Sequence, residues 1–461
     1  MSSHSASERT SLPVSGVSLR QMHITETGVC WSVLLGGIVG SGVLVSITQD
    51  LLAWIAGVAL MVGVSMAVVR FDLLHPFTWF TPFFFLYSSS VPILVWLEIK
   101  EDIGNLHETI LLEWLALATF LLVVGPVQRK PLLKGAITID TKIVAWAVFL
   151  ASLAVSSLYL WHIWQANLSS KYDIALSSSI FAKLDPAFSV LAIAYAVLLA
   201  GAFQCKRFPW ALVFFSIGWN ASSFLLSGER DLVFRILWIS IFVFHVLYRE
   251  IPRWCLAILA TSAIVLVPIM GDLKNVLLKE SEVEVVVSAI AVRVLNDEFL
   301  TASENLQYYL SRATFEPFYM GETLLWDIKR ALLPGVLVQD GPDPQRHFNT
   351  MFFPDVVAQG GGRGFTLVGE GYMNFGWFGV VLWFVILGWF VRTLYARATT
   401  NKSWFVVYVV SMPLLVYIIR ADFSNLLAQF AKHIAFPMFI IVIGQEVLRR
   451  TRPVAILPRG S

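Results

Sequence analysis

The chain has 461 residues, 57% of them hydrophobic and only 14% charged, with a formal net charge of +2 and a mean hydropathy of +0.72. A soluble domain carries about 25% charged residues, so this chain cannot cover itself with polar side chains and must use lipid as its solvent. So small a net charge gives no support to nucleic acid as a partner.

Residues 1–26 are polar and Ser-rich, and the apolar run after them is too long for a cleavable signal. A spanning helix needs about 20 apolar residues. Runs of that kind predict spans at 27–47, 51–70, 76–97, 109–127, 142–163, 186–203, 209–226, 232–248, 254–270, 375–394, 404–419 and 424–446, about 12 in all. The expected fold is an all-α polytopic membrane protein with one large loop. The expected parts are a tail at 1–26, nine spans within 27–270, the loop at 271–374, three spans within 375–446 and a tail at 447–461. The closing Leu457, Pro458, Arg459, Gly460 and Ser461 resemble a protease-cleaved tag scar and are set aside.

Basic residues orient the spans. With the N-terminus inside, the cytoplasmic segments hold Arg70, Arg129, Lys130, Lys134, Lys206, Arg207, Arg249, Arg253, Arg392, Arg397, Lys402, Arg449, Arg450 and Arg452. The opposite short loops are poor in Lys and Arg, and Glu98, Glu101 and Asp102 make one of them acidic. Both termini are therefore expected in the cytoplasm, with 271–374 outside. Cys30, Cys205 and Cys255 all fall at cytoplasmic ends of spans, where no oxidising compartment pairs them. No CxxC, HExxH or P-loop occurs, so neither a metal nor a nucleotide site has support.

In the loop, Val283, Val287, Ile290 and Val294 are four, three and four apart. That spacing suits an amphipathic helix, lying on the membrane or packing on the loop's own core. Residues 333–364 are rich in Gly and Pro, an irregular backbone of the sort that shapes sites.

Charges fall in three places where a membrane should have few. Glu229, Arg230, Asp231 and Arg235 lie in and after a tight turn between spans 7 and 8, and Asp231 and Arg235 share a helix face. Arg420 and Asp422 stand at the outer end of span 11. Asp422, Asn425, Gln429 and Lys432 or His433 then continue as a polar stripe into span 12. A charge at mid-bilayer costs about 2.5–3.5 kcal/mol, so the stripe must face protein or a water-filled cavity. Pairing between helices would explain such charges. Acidic neighbours look too few, however, because the loop adds Lys329, Arg330, Arg346 and Arg363. Excess cations around an outward cavity call for an anionic ligand, and arginine's planar fork suits a phosphate. A lipid-linked diphosphate would sit at that depth.

Three short patterns then resemble the Wzy-type O-antigen and repeat-unit polysaccharide polymerases, relatives of the O-antigen ligases. They are the turn Gly228, Glu229, Arg230; the run from Gly364 through Thr366, Gly369, Glu370, Tyr372 and Asn374 to Gly376; and Arg420 near the end of the penultimate span. The resemblance implies a GT-C-like inner-membrane glycosyltransferase that joins undecaprenyl-diphosphate-linked oligosaccharides on the periplasmic side. Undecaprenyl diphosphate would be its leaving group, the bilayer its surroundings and a chain-length regulator of the same pathway its partner. Fixed cations would stabilise the leaving diphosphate, with Arg230 and Arg420 first, Arg346 or Arg363 closing from the loop, and Arg235 and Lys432 in support. No metal or other cofactor is then required. Glu370 and His347 are the candidate general bases; Glu370 reads equally as a capping or hydrogen-bonding residue, and His347 as a surface histidine. A ligase acting on lipid A core, a transporter of lipid-linked oligosaccharide and a noncatalytic assembly partner are the competing readings.

Overall fold

A computed structural model describes residues 19–451 apart from 49, 129–132, 167, 169–173, 175, 176, 178, 260, 263–265, 267–269, 271–291, 293, 314–317, 334–340, 359 and 360. Helices α1 (Leu19–Ile47), α2 (Leu51–Val68), α3 (Pro76–Trp79), α4 (Thr81–Trp96), α5 (Leu106–Val124), α6 (Ile139–Gln165), α7 (Pro186–Gln204), α8 (Trp210–Ser227) and α9 (Asp231–Leu247) form the first bundle. Next come α10 (Leu300–Ala313), α11 (Glu322–Leu332), α12 (Pro344–Phe352) and α13 (Pro354–Ala358). The chain ends in α14 (Leu367–Ala398), α15 (Lys402–Tyr417), α16 (Phe423–Gln429) and α17 (Phe436–Thr451). Among the described residues the only β pairing is an isolated bridge between Lys134 and Asn401. The protein is all-α and polytopic.

Among the described residues ten helical stretches are long and apolar enough to cross a membrane: Thr27–Ile47, Leu51–Val68, Pro76–Trp96, Leu106–Val124, Ile139–Gln165, Pro186–Gln204, Trp210–Ser227, Leu367–Ala398, Lys402–Arg420 and Phe423–Thr451. They match ten of the expected spans in position. The expected span at 232–248 is the shorter α9, with 17 residues. That at 254–270 falls largely outside the described residues, as do Val283, Val287 and Ile290, the N-terminal tail and the tag-like end.

Lipid gives apolar helices no reason to associate, so close backbone approach holds them together. A methyl on Gly57 of α2 would meet the Ser41 carbonyl of α1 at 3.1 Å, and one on Gly388 of α14 would meet Val123 Cβ of α5 at 3.0 Å. Helix α7 is buried along most of its length, whereas Val29, Val39 and Ile47 of α1 stay exposed as a lipid-facing edge.

The segment after residue 293 is not a separate domain. Phe299 stacks edge-on against Tyr87 with centroids 4.8 Å apart, and its carbonyl accepts from Ser90 Oγ of α4 at 3.0 Å. Helix α10 packs on α4, α5 and α14. The described residues of 294–366 therefore gather at the same face as the loop between α4 and α5. The loop residues 69–75, 125–128, 133–138 and 205–209 lie at the opposite face.

Candidate functional site

The three family-like patterns become backbone devices. Gly228 closes α8 in the left-handed region at φ +70°, its N–H donating to Phe224 O at 2.8 Å. Glycine reaches that region without the Cβ penalty. Arg230 follows as the cap of α9.

In the second pattern Thr366 caps α14, its hydroxyl accepting from Val368 N at 3.1 Å. Helix α14 then breaks. Phe375 takes φ −144° and ψ 25°, and Gly376 takes φ +60° and ψ −142°. In a straight helix eight residues rise about 12 Å, yet a methyl on Gly371 would come within 2.9 Å of the Gly379 carbonyl oxygen. The kink thus folds 367–374 back against the span proper, which starts near 377 rather than at 375.

In the third pattern Ile418–Arg420 forms a short 3-10 turn. Any side chain at 364 would clash with the Arg420 carbonyl. Glycine at 364 therefore lets the loop lie directly on the arginine turn, and the second and third patterns are one assembly.

Helix α12 is bolted to both. Asp343 caps it, accepting from Arg346 N at 2.9 Å. Asn349 Nδ2 donates to Arg363 O at 2.8 Å and Asn349 Oδ1 accepts from Arg363 N at 2.6 Å. Gln345 Oε1 accepts from Asn425 Nδ2 at 3.3 Å, and Asn425 donates also to Asp422 Oδ1 at 2.8 Å. His347 is half-buried, its ring edge-on to Tyr319 at 5.7 Å; Arg346 is exposed on the same turn. Arg346, His347, Arg363 and Arg420 thus stand on segments held together by direct hydrogen bonds or backbone contact.

The remaining cations lie on a second branch. Arg235 donates to Ser189 Oγ at 2.7 Å and pairs with Asp231 at 3.3 Å, the expected one-turn pairing. Arg235 also lines a small cavity with Gln429 and His433. Asp422, Asn425, Gln429 and His433 therefore face protein, as the stripe requires. Lys432 is exposed. A π-helical turn, Phe430–Ala435, shifts the helical register here, and π-turns recur at functional sites.

Two expectations change. The cations have more acidic neighbours than the sequence reading counts: Glu304 bridges Lys100 at 2.6 Å and Arg363 at 3.3 Å. Asp343 pairs with Arg330 at 3.6 Å. Those acids sit far away in sequence, so only the fold brings them in. Arg363 also lies over the Phe353 ring at 4.1 Å, and Arg420 over Tyr417 at 5.3 Å.

Glu370, expected to be partly buried near the membrane surface, is wholly buried. Its Oε1 accepts from Thr323 Oγ1 at 3.2 Å and its Oε2 from Phe423 N. Asn374 donates to Thr323 at 2.7 Å and to Glu370 O at 2.9 Å, and Gly321 N donates to Asn374 Oδ1 at 3.0 Å. Glu370 is thus a knot between α11, the kinked segment and the Arg420 turn, which matches the hydrogen-bonding reading of this residue.

Sequence reasoning missed Asp327. It is buried without exposed surface. Burial first, then the neighbouring charges of Glu370 and Asp422, pushes its carboxyl up to about 10. Burial likewise pushes Asp422 up. Among the described residues no group of three or more His, Cys, Asp and Glu is arranged to hold a metal ion.

No curated protein and no solved structure matches this chain. Residues 346–452 match the family model described as O-antigen polysaccharide polymerase Wzy. That segment contains most of α12, the Gly364–Gly376 run and Arg420, so two of the three patterns lie inside it. The resemblance drawn from the motifs is borne out by this match: residues 346–452 of this multi-pass membrane protein are similar to the Wzy-type O-antigen polymerases.

Proposed function

We propose that the protein lengthens a surface polysaccharide by glycosyl transfer between undecaprenyl-diphosphate-linked oligosaccharides at the periplasmic face of the bacterial inner membrane. The C1–O bond to the lipid diphosphate breaks, a new C1–O bond forms to a hydroxyl of the incoming unit, and that hydroxyl gives up a proton. The products are a longer lipid-linked chain and undecaprenyl diphosphate. The observation that carries this reading is the seating of Gly364 on the Arg420 carbonyl, within the matched segment.

Arg420, with Arg363 and Arg346, is assigned to the departing diphosphate, whose growing charge fixed cationic donors stabilise. Glu304 orients Arg363 by pairing with it at 3.3 Å. Arg230, Arg235 and Lys432 form the second branch, beside the cavity that Arg235 shares with His433. His347, half-buried one residue from Arg346, is the proposed proton acceptor, since imidazole is the usual one in such chemistry. The tethering of Glu370 by two donors supports a positioning role for it.

The test is complementation of a deletion strain. Wild-type protein should restore long polysaccharide ladders, and Arg420→Ala at matched membrane abundance should leave single units. Loss of one such donor lowers turnover by about 10²–10³. Arg420→Lys should also shorten the ladders, because a point charge cannot reproduce a bidentate fork. Normal ladders from Arg420→Ala would defeat the diphosphate assignment. Complete loss of polymer from lipid A core in the deletion strain, with lipid-linked polymer retained, would indicate a ligase.

A further inference from the structure

Helix α11 carries its polarity inside out. Thr323 and Asp327 have no exposed surface, whereas Leu325 is 63% and Leu332 75% exposed. Phe318 touches Gly376, and Phe318, Met320, Trp377 and Phe378 are exposed as well. The apolar face of α11 thus continues onto the head of a membrane span, where lipid covers it, the setting of an interfacial helix. The inner face meets carboxyls. Glu370 and Asp422 are the carboxyl neighbours of Asp327, and all three residues are without exposed surface. Neither oxygen of Asp327, nor Oδ2 of Asp422, has a hydrogen-bond partner. Three negative charges packed together away from water are mutually destabilising, and the inexpensive remedy is a proton.

We propose that Asp327 is held protonated in the folded protein, and that the neutral carboxyl, one turn from the Thr323 that holds Glu370, latches α11 onto the Arg420 turn. The chain of contact is continuous: Thr323, one turn from Asp327 on α11, donates to Glu370 Oε1, Glu370 Oε2 accepts from Phe423 N, and Phe423 lies three residues beyond Arg420. Other charged groups face the latch. Arg330 of α11 donates to Ser424 at 3.0 Å and pairs with Asp343 at the cap of α12. Lys432 and His433 belong to the π-turn that packs on α11. Arg330 is already engaged by Asp343, so it does not replace the proton. Asp327 is then a positioning residue, acting on the arginine turn through Glu370.

The sign follows from linkage. The folded protein keeps a proton on Asp327 that the unfolded chain releases near its ordinary value of 3.8. Stability supplied by the latch is therefore full below that value and is lost as pH rises toward 10. Asparagine mimics the protonated acid: it donates a hydrogen bond and cannot ionise.

Trypsin reads the latch directly, because Lys329 and Arg330 lie on α11. The full-length protein in lipid nanodiscs is cut at pH about 6 and about 9.5, and wild type is divided by Asp327→Asn to cancel trypsin's own pH dependence. The ratio of cleavage rates should rise between those values, by at most about tenfold for each unit of pH, the limit for one proton. Asp327→Ala, lacking any donor, should be cut faster than Asp327→Asn at both. A ratio that does not change with pH would overturn the proposal, as would an alanine variant protected like the asparagine one. The outcome is independent of the polymerase reading, because no sugar substrate is present.

Discussion

Substituting Glu370 separates its two roles. As a base it must ionise, and Glu370→Gln would abolish chain lengthening. As a hydrogen-bond acceptor its Oε1 and Oε2 satisfy Thr323 Oγ1 and Phe423 N, and glutamine keeps one acceptor oxygen. We expect Glu370→Gln to retain ladders, and Glu370→Ala to destabilise the protein by about 2–3 kcal/mol through stranded buried donors. Thermal unfolding in detergent checks the second, and gel ladders the first. The bridge at Glu304 gives a parallel expectation. It is 5% exposed and holds both Lys100 and Arg363, so Glu304→Gln should shorten ladders by releasing Arg363. Glu304→Asp should retain part of the wild-type length.

Among the elements, the kink at Phe375 and Gly376 decides the architecture. It returns 367–374 to the bundle, so Gly371 and Gly379 lie backbone to backbone. Gly379→Ala should lower stability by about 1–3 kcal/mol, the cost of overpacking. Gly63→Ala, with nothing within 4 Å of the new methyl, is the matched control and should be neutral or slightly stabilising. Unfolding midpoints of the two variants decide this. The sequence shows the helices well, because lipid imposes length and apolarity on every span: 27–47, 186–203 and 404–419 reappear within two residues at each end. The kink was not legible, since a glycine-rich helix and a broken one have the same composition. Nor was the inversion of α11. Leu325, Ile328 and Leu332 announce an amphipathic helix, but periodicity cannot say which face meets lipid. Asp327 stayed hidden for that reason, and Glu304 because its cations come from residues 100 and 363, some 204 and 59 positions away.

At the scale of the whole molecule, the charged residues divide between two faces. Lys100, Glu304, Arg363, His347 and Arg420 gather at one; Arg70, Arg249 and Arg253 lie at the other. In the proposed topology the positive-inside bias assigns the first face to the periplasm. A cysteine at Glu101, exposed in the loop between α4 and α5, should therefore react with an impermeant maleimide in cells with a permeabilised outer membrane. Native Cys205, exposed at the opposite face, should react only after inner-membrane lysis. Reversed labelling would place the arginines in the cytoplasm and remove the proposed substrate from their reach. The most direct measurement supplies purified protein in lipid vesicles with lipid-linked oligosaccharide repeat units alone. The account predicts a ladder of lengthened lipid-linked chains with release of lipid diphosphate, both abolished by Arg420→Ala. Unchanged single units with wild-type protein, or a ladder unaffected by that substitution, would contradict it.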